Sequence, residues 1–304
     1  MSHFPVIVKL SAEKIASHGG SVESALEEAL EPYREDTDDR RFVAFSDETD
    51  EAFKEYDTGS NHEGVPFKSS YPTFDAFCRK YHGYDLNAEG KYGYDHNPNA
   101  KWDWWAIGGR WLGFFKVKPG ADRIIGRPGA FGNASNGGSD IINVGDLDRD
   151  AIAEATNAEA SEFYDKYQLM LDGHEFDAFE GPREMAMRMG LVRVEKRTVE
   201  AGPGEVAFPW KNTVRPGDPR RDWTDIATRI GRQEFMTTYA CCFNPNATWA
   251  ALDEEGWHEP GKMGWFACDD SSPESYVAYK RSFMDKFINN AKPDDVLVCV
   301  DCHI

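Results

Sequence analysis

Positive charge is scarce in this chain: 34 lysines and arginines stand against 53 aspartates and glutamates, a formal net charge of −19 at pH 7. Such a field repels phosphate backbones, which argues against a long nucleic-acid groove as the main surface. A small anionic ligand in a local basic pocket, or a basic protein partner, stays compatible with it. Long hydrophobic runs are missing too. No segment approaches the length of a membrane span, so no membrane partner is expected. The N-terminal apolar run Phe4–Val8 is too short for a signal-peptide core and has no basic leader, so a cytoplasmic location is expected. Cysteine is sparse as well. Cys78, Cys241, Cys242, Cys268, Cys299 and Cys302 read as reduced thiols rather than as a disulfide framework. Neither a P-loop nor a dinucleotide fingerprint is present, no Ser-His-Asp order stands out, and no cofactor is implied.

What the chain does have is aromatic surface. Hydrophobic residues make up 40% and aromatics 13% of 304 residues, enough for a folded core in one large domain or two smaller ones. The densest stretch is residues 97–111, where Trp102, Trp104, Trp105 and Trp111 surround Asp103, Arg110 and the pair Gly108-Gly109. Trp and Arg planes stack on a nucleobase, and Arg110 can fork onto a phosphate. Trp102, Trp104, Arg110 and Trp111 are therefore candidate ligand-binding residues. The competing reading is a packed aromatic core in which Asp103 pairs with Arg110 and the glycines form a bulge. The start of the stretch recurs, since Asn244–Trp249 repeats Asn97–Trp102 except at Lys101. Asn-Pro-Asn-Ala favours a type I turn, so each copy is expected to launch a strand.

Both ends of the chain read as strands, Phe4–Leu10 and Asp295–His303, expected to share one sheet. Ser21 caps a helix to about Leu30, Asp146 caps one to about Leu171, and Ser272-Pro273-Glu274 starts one with the stripe Tyr276, Tyr279, Phe283 and Phe287. Further strands are expected at Trp111–Val117, Thr237–Phe243 and Gly264–Cys268, and a short helix at Trp223–Ile230. Residues 201–220 read as a long loop. The fold class is α+β: a mixed or antiparallel sheet containing both terminal strands, with flanking helices. Residues 1–118 and 233–304 are expected to form the core, and 119–232 a loop-rich, more helical insertion.

On the last strand, Asp301 and His303 are two apart and share a face, whereas Cys299 and Cys302 are three apart and point to opposite faces. That argues against a thiolate metal site, and no metal site is assigned. His3 starts the other terminal strand. Parallel pairing is expected to set His3 beside His303, and antiparallel pairing to separate them. His3, Asp301 and His303 are thus conditional candidates for acid–base catalysis or metal binding, with frayed surface residues as the alternative.

Three pieces together resemble a group of uncharacterised proteins of tailed bacteriophages and prophages: Ser2-His3-Phe4, the segment Asn97–Trp111 followed by Gly113-Phe114-Phe115-Lys116, and Val300-Asp301-Cys302-His303-Ile304. Gly126-Arg127-Pro128-Gly129 fits the same pattern. The resemblance implies a phage accessory protein in the host cytoplasm, dispensable for building the virion. On that footing the first expectation is a homo-oligomeric, non-enzymatic inhibitor of host anti-phage defence that binds a host protein or sequesters a small nucleotide signal. The alternative is a hydrolase or phosphodiesterase acting on a small nucleotide, through His3, Asp301 and His303.

Overall fold

The computed structural model describes residues 3–128, 137–174, 181–197, 202–209, 217, 219–263 and 269–304. The terminal strands His3–Leu10 and Val296–His303 pair with each other along their whole length, antiparallel, with His3 opposite His303 and Leu10 opposite Val296. Among the described residues they form the centre of a seven-stranded mixed sheet. Ala250–Asp253 runs parallel to the first strand and carries Gly256–His258 as an antiparallel edge. On the other side Trp104–Gly109 lies beside the last strand, followed by Arg127–Pro128, and Ile141–Asn143 also pairs with the last strand. The fold is therefore α+β, with both ends of the chain in one sheet. Among the described residues no helix is long and apolar enough to cross a membrane.

The antiparallel register corrects the expectation that such pairing would part His3 from His303. In an antiparallel pair the first residue of one strand meets the last residue of the other, so the two histidines are direct cross-strand neighbours.

Alternation sorts the side chains of the central pair. Ile7, Leu297, Cys299 and Ala251 join one core with Phe115, Leu147 and Ile152. Tyr279, Phe283 and Phe287 close that core from the helix Pro273–Phe283 and the π-turn that follows, the last two rings stacked 4.8 Å apart. Ser272 and Ser275 form a reciprocal capping box at the helix start, as the Ser-Pro-Glu signal predicts. On the opposite face Val6, Val8, Val298, Val300 and Cys302 are buried as well. A sheet covered on both sides explains the near-continuous apolar run of the last strand.

A second core joins the helices Arg149–Leu171, Pro182–Arg188 and Arg232–Cys242 to a three-stranded sheet, in which Trp223–Thr228 lies between Val192–Lys196 and Glu205–Pro209. Two expectations are overturned here. Trp223–Thr228 is a strand, not a helix, because Asp225, Ile226 and Ala227 are buried between two partners. Arg232–Cys242 is a helix, not a strand, because Phe235, Thr238, Tyr239 and Cys242 bury one helical face against the long helix. The cap of Arg149–Leu171 is Asp148 rather than Asp146. Trp111–Val117 forms only single bridges through Phe115 and Val117 rather than a strand. The expected loop 201–220 contains the strand Glu205–Pro209, and the strand expected at 264–268 lies outside the described residues.

The chain divides into two compact units, Met1–Ala29 with Trp105–Ile304, and Leu30–Trp104. Within Leu30–Trp104, Tyr92–His96 pairs with Ala44–Asp47 and Asp85–Leu86, and Ala52, Phe67, Phe77 and Cys78 form a small aromatic core.

Candidate functional site

The antiparallel register brings together the three candidate acid–base residues. Asp301 sits diagonally across from His3, and its Oδ1 lies 2.9 Å from His3 Nδ1. Asp301 is fully buried, while the His3 side chain is 16% exposed. A carboxylate only accepts, so Nδ1 of His3 is the donor in this pair. The His303 ring stands edge-on to His3, with centroids 4.8 Å apart. A half-buried imidazole oriented by a buried carboxylate, beside a second imidazole, can take a proton at one ring and deliver one from the other.

The Gly108-Gly109 pair holds this arrangement from below. Oδ2 of Asp301 accepts the Arg110 backbone N–H at 3.0 Å. Gly109 has φ +54°, and a Cβ there would fall 2.3 Å from the Asp301 Cβ. Gly108 repeats the device with a second buried carboxylate. Its Cβ would lie 2.5 Å from Oδ2 of Asp140, and its φ is +76°. Asp140 accepts backbone N–H groups from Gly113 at 2.6 Å, Phe114 at 3.2 Å and Gly126 at 2.8 Å. The glycine pair is thus the bed for two buried aspartates. Asp140 was not singled out by sequence reasoning, because it follows a glycine-rich run that reads as loop.

The tryptophans separate. Trp102 is 5% exposed, and its indole N–H donates to the Leu30 carbonyl at 3.2 Å. Trp104 is 48% exposed. Trp111 packs against the core that contains Phe115 and Leu147. Trp102 and Trp104 belong to the unit Leu30–Trp104, and Arg110 and Trp111 to the other. Arg110 enters the acid–base site through its main chain.

Both Asn-Pro-Asn turns take the conformation their sequence predicts. Asn97 Oδ1 accepts the Asn99 N–H, and its carbonyl accepts the Ala100 N–H. Asn244 does the same for Asn246 and Ala247. The strands that follow them, Trp104–Gly109 and Ala250–Asp253, flank the central pair on opposite sides. Lys280 locks the second turn: its buried amine donates to the carbonyls of Ala247 at 2.6 Å and Thr248 at 3.0 Å. Burial pushes that amine down to about 8.

Two other clusters carry titratable groups. Burial, with the nearby charge of Asp301, pushes the thiols of Cys299 and Cys302 upward, so both stay protonated and suit packing rather than metal binding. On the edge hairpin, donor atoms of Asp253, Glu255 and His258 lie within 4.8 Å of one another, a spacing that could hold a metal ion. Each already has a partner. His258 Nε2 contacts Asp253 at 2.8 Å, Lys9 approaches Asp253 at 3.7 Å, and Lys286 bonds Glu255. This is an ion-pair network on a tight turn, and His258 was not linked to the two acids by linear spacing.

No known protein family matches the chain, and neither any curated protein nor any solved structure is similar to it.

Proposed function

We propose that the chain hydrolyses a phosphodiester bond in a small nucleotide, with His3 and His303 as the acid–base pair. The observation that carries this reading is the His3–Asp301 hydrogen bond with a second imidazole beside it. In the proposed step, His3 Nε2 takes a proton from water as the water oxygen bonds to phosphorus. The bond to the leaving oxygen breaks, and protonated His303 supplies the proton that oxygen needs. The products are a phosphomonoester and an alcohol. Asp301 fixes the His3 tautomer and steadies the imidazolium that forms. Arg110, whose backbone amide donates to Asp301, meets the phosphate.

A paired base and acid favour turnover over sequestration. The resemblance to tailed-phage proteins supplies the setting: a phage accessory protein that removes a nucleotide signal of host defence in the host cytoplasm. The acidic surface limits the substrate to small molecules, since a long phosphate backbone is repelled.

The test incubates the purified chain with cyclic mononucleotides, cyclic dinucleotides and linear dinucleotides and separates the products by chromatography. Cleavage of one class is expected, with Asp301→Asn retaining binding and losing turnover. A folded chain that cleaves none of these phosphodiesters contradicts the proposal.

A further inference from the structure

Three helical segments leave a cavity between them that the acid–base pair does not use. It has a volume of about 410 Å³ and is lined by residues of Leu147–Asn157, of Gln233–Asn246 and of the π-turn after Phe283. Its floor is apolar, with Ile152 and Ile288 buried and Met236 and Met284 partly so. Thioethers adapt to irregular ligands, and the volume falls in the range of small-molecule sites.

The polar part of the lining is distinctive. In a chain with 53 acidic residues, none of the sixteen described residues around this cavity is acidic. Carboxamides take that place, among them Asn157, Gln233 and Asn244, and one cation is present, Arg149. Arg149 is exposed, opens the long helix, and makes no ion pair or side-chain hydrogen bond with any described residue. An apolar floor under one guanidinium and several amides complements one kind of molecule: an apolar body with a single anionic head.

We propose that this cavity binds a free, small amphipathic anion of the alkyl-carboxylate class. The net charge gives the proposal a sharp sign. A protein at −19 attracts cations and repels anions overall, so a preference for the anion has to come from the local site.

The experiment is calorimetric titration of the full chain with decanoate, decanol and decyltrimethylammonium, each below its micelle concentration. Decanoate is expected to bind at one site, about tenfold or more tighter than decanol, with the cation weakest. Arg149→Glu changes an exposed side chain and is expected to abolish the preference for decanoate. Ala153→Trp, also at an exposed lining position, is expected to fill the mouth and weaken all three ligands. No decanoate binding overturns the proposal. So does equal binding of the cation, or decanoate affinity that survives Arg149→Glu. None of these results depends on nucleotide turnover, which reads the His3 site alone.

Discussion

The carboxylate of Asp301 occupies the space that a side chain at Gly109 would need, 2.3 Å from where a Cβ would stand. Gly109→Ala is therefore expected to cost about 2–4 kcal/mol, from the clash and from φ +54°, and to push Asp301 off His3. Gly120→Ala is the control: its φ is +85° with nothing within 4 Å, so only backbone strain of about 1 kcal/mol is expected. Urea unfolding of both variants measures the difference. Equal losses would show that Gly109 is needed for its φ alone.

The two nearest tryptophans should part company in stability. Trp102→Ala removes a buried indole that caps the Leu30 carbonyl and is expected to cost about 3–5 kcal/mol. Trp104→Ala removes an exposed indole and should change stability by no more than about 0.5 kcal/mol. Thermal unfolding of the pair checks this, and a large loss for Trp104→Ala would place that ring in a core.

Lys280 gives the stability a pH dependence of known sign. Burial lowers its amine from 10.5 to about 8, so between those values the unfolded chain holds a proton that the folded chain has released. Stability from this group therefore rises with pH across that window, by about 3 kcal/mol for the full shift. Buried thiols work the other way. Cys78 and Cys242 are pushed from 9.0 to about 11, so their contribution is present below pH 9.0 and fades as pH rises toward 11. The comparison is wild type against Lys280→Met in urea from pH 8 to 10.5, where wild type should gain on the variant. A flat difference would mean that the buried amine keeps its proton.

The sheet was legible because its signal is local. Two alternating β-branched termini announce strands, and the i, i+2 spacing of Asp301 and His303 announces a shared face. What antiparallel pairing sets beside His3 is a matter of register, and a local pattern does not carry register. The strand expected at Thr237–Phe243 rests on Thr237, Thr238, Tyr239 and Phe243, which favour strands locally, while burial of Phe235, Thr238, Tyr239 and Cys242 decides for the helix Arg232–Cys242. Asp140 and Lys280 left no local trace. One lies after a glycine-rich loop and the other in a helix that reads as amphipathic, and their partners are distant in sequence.

The central claim is that His3 and His303 act as one acid–base unit. Its most direct test is the turnover rate of the best nucleotide phosphodiester by wild type, His3→Gln, His303→Gln and the double variant. Each single change is predicted to lower the rate by about 10²–10⁴, and the double variant to fall little further, because one partner is of no use without the other. Rates that survive the loss of either histidine would contradict the account.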